Sequence, residues 1–208
     1  MKEKSEAKIE YEIRRQERLQ QKETLSKNDR RGDASKRIVL YVVLFIILAL
    51  IFLGIKSLIK NSTPQGEDFS KDMQDAGREH IEVGDVVLEE TYSSNPPSSG
   101  PHYPNTANTG FYTEPVEDQY LIHNLEHGDI WIAYSPNISE NAKKILKSFA
   151  GTYVVVAPRP DNPSDVSLVA WNRLDNFDEE SLTEQRVKDF ILRHDNKGPE
   201  KVRGGGGF

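Results

Sequence analysis

The feature that constrains this chain most is an uninterrupted apolar run in its N-terminal third. Residues 38–55 read IVLYVVLFIILALIFLGI without a charge, and three more uncharged residues separate Lys56 from Lys60. Because about 20 helical residues cross a ~30 Å hydrocarbon layer, we predict one transmembrane helix over residues 38–59. The alternative is a cleaved signal peptide, but its apolar region would be shorter, nearer the N-terminus and followed by a small-residue cleavage site.

The basic residues beside this span predict its orientation. The basic residues that precede it are Lys27, Arg30, Arg31, Lys36 and Arg37, and those that follow it are Lys56, Lys60 and Lys71. Because basic residues favour the cytoplasmic side, we predict a single-pass protein of the cell membrane with its N-terminus in the cytoplasm and its C-terminal domain outside.

Charge and composition limit the kinds of molecule that residues 61–208 can bind. Residues 1–60 carry a formal charge of +6 and residues 61–208 a charge of −12. A domain with this much negative charge would repel nucleic acid and anionic membrane surfaces. We therefore expect no nucleic-acid binding and consider a protein of the cell envelope a possible partner. The chain has no cysteine, which excludes disulfides, thiolate metal sites and cysteine nucleophiles.

The distribution of charge, proline and glycine divides the chain into five parts. The N-terminal part mixes both charge signs at helical spacing, which favours a solvated helix. The parts are a charged cytoplasmic segment (1–37), the transmembrane helix (38–59), a polar linker (60–76), one outer domain (77–201) and a flexible glycine-rich tail (202–208).

Periodicity within the outer domain predicts an α+β fold: a small mixed sheet with flanking helices. The predicted strands are Val83–Leu88, Asp129–Tyr134, Thr152–Pro158 and Val166–Trp171, and the predicted helices are Tyr120–His127, Ser139–Ala150 and Leu182–His194. Residues that alternate along neighbouring strands share a face of the sheet. We therefore predict one core containing Ile130, Ile132, Val154, Val156 and Trp171.

The densest cluster of chemically reactive side chains is the sequence His123-Asn124-Leu125-Glu126-His127. On a helix, residues four apart point the same way, so His123 and His127 would present two imidazoles to one metal ion. HxxEH is also the zinc pattern of the inverted zincin peptidases, in which the glutamate is the base. Five residues are a weak motif, and a strand would turn Glu126 to the opposite face.

A stiff loop supplies the next candidate ligand. Four prolines restrict residues 95–104, and the loop leads to His102. We predict that it folds over residues 123–128 and places the His102 ring beside those of His123 and His127. His80, or a nearby tyrosine, aspartate or water, is the expected fourth ligand, with Glu126 and Tyr103 hydrogen-bonding around the site.

These residues also carry a resemblance. PPSSGPH, GFY, LIHNLEHG and APRPD occur in this order, and over about residues 80–199 the chain resembles the prokaryotic domain-of-unknown-function 3105 family. Serine stands at position 98, where threonine is usual. The resemblance implies a membrane-tethered outer domain and brings no established activity. The positions that match the family pattern are His80, Tyr92, His102, His123, Glu126, His127, Trp171, Pro199 and Glu200.

Three functions remain open from the sequence. The preferred one is a metal-binding module, and its imidazole ligands favour zinc or copper(II). A structural or interaction domain of the envelope, with histidines that only hydrogen-bond, is the second. The third is a metal-dependent hydrolase with Glu126 as base, which we consider less favoured because no substrate-binding feature is visible.

Overall fold

The computed structural model describes residues 2–202, with side chains at 11–25, 36–60 and 62–202. The chain forms two compact units, residues 1–58 and 59–208. Helix α1, Lys2–Ser62, begins in the first unit. Its segment Lys36–Lys60 is long and apolar enough to cross a membrane, as membrane anchors and signal sequences both are. The predicted tail lies outside the described residues except for Val202.

The second unit is an α+β domain with one six-stranded mixed sheet, which confirms the predicted fold class. The strand order is β1-β6-β5-β3-β4-β2, with parallel β2–β4 and β3–β4 pairs and otherwise antiparallel pairs. The strands are β1 (Lys71–Asp72), β2 (Gly110–Phe111), β3 (Ile130–Tyr134), β4 (Val154–Pro158), β5 (Val166–Ala170) and β6 (Arg173–Phe177). The helices are α2 (Asp118–Glu126), α3 (Glu140–Lys147) and α4 (Glu184–His194), with 3₁₀ turns at Glu89–Thr91 and Glu179–Ser181.

Both faces of the sheet are covered, which explains why β3, β4 and β5 are buried along their whole length. On one face Ile130 and Val156 pack with Leu146 of α3 and Phe190 of α4. On the other face Trp131, Val155 and Val169 pack with Leu121 and Leu125 of α2. The sheet thus gives α2, and the residues at its end, a rigid support.

The core prediction was right for four of its five residues. Ile130, Ile132, Val154 and Val156 lie in one buried cluster. Trp171 instead follows the end of β5, is half-buried and packs against the opposite face. The tryptophan side chain that is buried in the core is that of Trp131, which is 1% exposed.

The predicted strand Val83–Leu88 is wrong. The Asp85 N–H donates to the Glu82 carbonyl at 3.1 Å, so the segment turns, and Val86 is 90% exposed. A strand needs a hydrogen-bonding neighbour as well as an apolar pattern. Strand β6, which the sequence analysis missed, has such a neighbour in β5.

Part of the predicted linker belongs to the domain. Strand β1, Lys71–Asp72, pairs with β6, and the N–H groups of Gln65 and Gly66 donate to the Asp189 carboxylate on α4. Polar sequence alone favours a tether, but hydrogen bonds to a remote carboxylate and to a sheet edge hold this segment against the domain.

Candidate metal centre

Backbone pairing brings the first two histidines together. The His102 N–H donates to the Glu79 carbonyl and the Ile81 N–H to the His102 carbonyl, both at 2.9 Å. This parallel bridge sets residue 80 beside residue 102. The two rings consequently lie edge to face, with their centroids 4.8 Å apart.

Part of the proline-rich loop is buried, and it is hydrogen-bonded to the β5–β6 turn. Residues 96–100 are buried, and the Asn172 N–H in the β5–β6 turn donates to the Ser98 carbonyl. Gly100 has φ +125°, and a Cβ there would lie 2.8 Å from the Tyr92 ring. Because side-chain-bearing residues rarely adopt that φ and the space is filled, glycine is required just before His102.

Two backbone carbonyls set the tautomers of two buried rings. His102 Nδ1 lies 2.8 Å from the Gly100 carbonyl, and His123 Nδ1 lies 2.7 Å from the Tyr103 carbonyl. A carbonyl can only accept, so each Nδ1 carries the proton and donates. In its neutral form each ring would therefore hold its lone pair on Nε2, as metal-binding histidines with a second hydrogen bond do.

Potential ligand atoms of the histidines lie close together. One potential ligand atom from each of His80, His102 and His123 lies within 4.8 Å of the others, and the His102 and His123 ring centroids are 5.1 Å apart. On the other side of His123, the His127 ring lies with its centroid 4.5 Å away. The four predicted histidines thus form one continuous cluster at the C-terminal end of α2.

Glu126 lies on the ligating side of this cluster. Its Oε2 is 3.0 Å from His102 Nε2 and 3.7 Å from His80 Nε2, and its side chain is 7% exposed. We predicted that Glu126 either contacts the same cavity or hydrogen-bonds to backbone or a histidine N–H, and the Nδ1 of His102 is already engaged with the Gly100 carbonyl. Glu126 therefore faces the nitrogen that would bind an ion.

Tyr103 contributes through its backbone. Its carbonyl accepts from His123, whereas its hydroxyl donates to Glu117 at 2.9 Å, away from the histidines. Trp171, whose ring centroid is 6.4 Å from that of His102, forms an apolar wall.

Burial and the neighbouring rings determine the charge of His123. Burial lowers its pKa, and the imidazoles of His127, His102 and His80 lower it further, although the bond to the Tyr103 carbonyl acts in the opposite direction. A lowered pKa keeps the ring neutral at physiological pH, and a neutral ring can donate its lone pair to a cation.

Glu200 is the site residue whose contact the sequence analysis missed. Its Oε2 lies 2.9 Å from His127 Nε2, and it forms with His123 and His127 a second group whose ligand atoms lie within 4.8 Å of one another. Residues 196–200 return to the end of α2, where the Glu200 N–H donates to the Glu126 carbonyl. Its place in the closing Pro-Glu of the family pattern was the only signal in the sequence.

Comparison with known proteins gives one match. A family model described as "Protein of unknown function (DUF3105)" matches residues 87–204, more than half of the chain. The matched region contains every residue of the cluster except His80. Curated proteins and solved structures give no significant match.

Proposed function

The chain belongs to the family described as proteins of unknown function (DUF3105), so we infer its role from its own residues. We propose that it is a membrane-anchored protein whose C-terminal domain binds a divalent metal ion. The proposed ligands are His80, His102 and His123, with Glu126 beside them and His127 adjoining.

The observation that carries this proposal is the matched orientation of two buried imidazoles. His102 and His123 each donate Nδ1–H to a backbone carbonyl, which leaves the Nε2 of each ring for a cation. His80 offers a third nitrogen within 4.8 Å of both. Zinc-binding nitrogens lie ~2.0–2.1 Å from the ion and hence about 3–4 Å from one another, so a small contraction would complete the coordination.

A purely structural role requires His102 to carry a proton on both ring nitrogens. With Nδ1 donating to Gly100, His102 Nε2 has no proton in the neutral ring, yet it faces the Glu126 carboxylate at 3.0 Å. Two acceptors at that distance need a proton or a cation between them. A divalent cation would bind both His102 Nε2 and the Glu126 carboxylate, and the negative charge of Glu126 would offset part of the positive charge of the cation.

The donor set favours zinc or copper(II). Neutral imidazoles suit both ions, and a chain without cysteine offers no thiolate for soft ions such as copper(I). The position of Glu126 favours a ligand over a catalytic base. A base that activates a metal-bound water would lie a water's width beyond the ligands, not 3.0 Å from one of them.

The cellular setting of the proposal follows from the apolar helix and its flanks. An anchor at residues 38–59 with the more basic flank in the cytoplasm would hold the acidic domain outside, where it would meet ions and envelope proteins before they reach the membrane.

Elemental analysis of the full chain tests the proposal. The chain would be purified in detergent without a histidine tag, dialysed against zinc or copper(II), and assayed for bound metal. We expect at least one ion per chain. His80→Ala should lower the affinity at least tenfold without unfolding, because the His80 side chain is 51% exposed.

A control variant separates the cluster from histidine content. His194→Gln removes the one histidine outside the cluster and should leave metal binding unchanged. The proposal fails if the wild type stays metal-free with both ions, or if His80→Ala and His102→Gln bind as tightly as the wild type.

A further inference from the structure

Building on the proposed function but assigning His123 to a second ion, we propose that the cluster is a two-ion centre, in which an inner set (His80, His102 and Glu126) binds one cation and an outer set (His123, His127 and Glu200) binds the other. Nothing in the family description assigns Glu200 a role. Its inclusion changes the expected stoichiometry from one ion to two.

The shared histidine can serve only one ion. His123 belongs to both groups of potential ligands, but its Nδ1 is engaged with the Tyr103 carbonyl at 2.7 Å. Only Nε2 remains for a metal, so His123 cannot bridge two ions through its two nitrogens. It points Nε2 at His127 Nε2, 3.0 Å away, which assigns it to the outer set.

The inner set stays complete without His123. Glu126 Oε2 lies 3.0 Å from His102 Nε2 and 3.7 Å from His80 Nε2. The ligand atoms therefore divide into two separate sets, each with two imidazoles and one carboxylate. This donor set is also found at catalytic zinc, where it leaves a position open. One carboxylate per ion lowers the repulsion between neighbouring dications.

The outer set has too few protons for its acceptors. His123 Nε2 and Glu200 Oε2 both lie within hydrogen-bond distance of His127 Nε2, at 3.0 and 2.9 Å. His123 Nε2 has no proton when Nδ1 donates, so the single N–H of His127 would have to serve two acceptors. A cation at this point would accept a lone pair from all three groups.

The chain builds the position of Glu200 with its backbone. The Asn196 N–H donates to the Gly128 carbonyl at 2.9 Å, and the Glu200 N–H donates to the Glu126 carbonyl at 3.1 Å. Between them Gly198 contacts the end of α2 so closely that a Cβ would overlap the Glu126 carbonyl and the Gly128 nitrogen. The segment that carries Glu200 is thus held in place by contacts with the end of α2, although the Glu200 side chain is 51% exposed.

The two sets differ in exposure, which predicts an order of binding. Two of the three inner residues, His102 and Glu126, are buried and His80 is 51% exposed, whereas in the outer set only His123 is buried and the His127 and Glu200 side chains are 26% and 51% exposed. Water screens the outer set more, and the ion in the inner set repels a second one. The second ion should therefore bind more weakly than the first.

The test counts zinc ions per chain in three proteins. The detergent-solubilised full chain, free of a histidine tag, would be dialysed against increasing Zn²⁺ and assayed by elemental analysis. We expect two ions in the wild type and one in Glu200→Gln, which keeps the shape and the backbone hydrogen bond. Glu180→Gln removes the same charge from an exposed site in a 3₁₀ turn and should retain two ions.

Copper supplies a second measurement. Wild-type protein loaded with two Cu²⁺ should show dipolar broadening in its EPR spectrum, and Glu200→Gln should show an isolated copper signal. A single ion in the wild type, with Glu200→Gln unchanged, would overturn the two-ion centre and leave the proposed function standing. No ion in any of the proteins would overturn both.

Discussion

At the scale of single residues, the most restrictive position is Gly198, where the C-terminal segment meets the end of α2. A Cβ at this position would overlap backbone atoms of Glu126 and Gly128 and lie 2.7 Å from the Leu125 carbonyl. Backbone atoms of a packed helix end cannot move aside as a flexible side chain can.

We therefore expect Gly198→Ala to destabilise the domain by about 1–3 kcal/mol, the usual cost of overpacking. The midpoint of urea unfolding would measure the loss. Gly151→Ala is the matched control, because its new Cβ would lie 3.9 Å from the nearest atom, and it should change the midpoint little. Equal effects of the two substitutions would contradict the close contact at Gly198.

A second residue gives the domain a pH dependence. His194 lies at the end of α4, with Nε2 3.1 Å from the Ser70 hydroxyl and 3.9 Å from Asp68 Oδ1. Burial lowers its pKa to about 4, and Arg173, Lys197 and Arg193 act in the same direction against Asp68.

The ordinary pKa of histidine is about 6.5, so between about pH 6.5 and 4 the unfolded chain binds a proton that the folded chain does not. Stability is therefore full above about pH 6.5 and falls as the pH drops toward 4. Urea unfolding with a chelator present, at several pH values from 7 to 4.5, should show a shallower slope in His194→Gln. The lowered pKa of His123 acts in both proteins, so an unchanged slope would exclude His194 as a cause.

At the scale of elements, one ion pair joins β6 to α4. Arg186 donates from Nε and Nη2 to the two oxygens of Asp175, at 2.9 and 2.7 Å, and Asp175 has a side-chain exposure of 5%. The guanidinium also lies over the Phe177 and Phe69 rings, 3.9 and 4.4 Å from their centroids.

Arg186→Ala should destabilise the domain by about 3–5 kcal/mol, because it leaves the Asp175 carboxylate buried without a partner. Lys143→Ala breaks the Lys143–Glu140 pair, in which Glu140 is 90% exposed, and should cost less than about 1 kcal/mol. Thermal or urea unfolding would compare them. A loss near 1 kcal/mol for Arg186→Ala would mean that water reaches Asp175 readily.

At the scale of the whole molecule, the apolar helix divides the chain into a charged segment and the metal-binding candidate. We expect protease added to intact cells to digest the part after Lys60 and to spare an epitope at the N-terminus, because basic flanking residues favour the cytoplasmic side. Permeabilised cells should lose both. Loss of the N-terminal epitope from intact cells would reverse the orientation, and release of a soluble domain would indicate a cleaved signal sequence.

Local sequence patterns predicted the helices and strands whose structure depends mainly on their own residues. The apolar run, the buried strands β3, β4 and β5, and helices α2, α3 and α4 were all predicted within a few residues, because continuous burial or helical periodicity leaves a local record. The i, i+4 spacing likewise placed His123 beside His127.

Features that depend on residues far apart in sequence became visible in the tertiary structure. Val83–Leu88 has the more apolar sequence of the two, but β6 is the segment that has a strand to pair with. The tautomers of His102 and His123 depend on carbonyl groups that the folded loop supplies, and Glu200 reaches His127 only through contacts of the chain's last described turn with α2. Hydrogen bonds between residues far apart in sequence leave no periodic signal, so the histidines and Glu126 were evident from the sequence as candidate ligands but the contact of Glu200 with His127 was not.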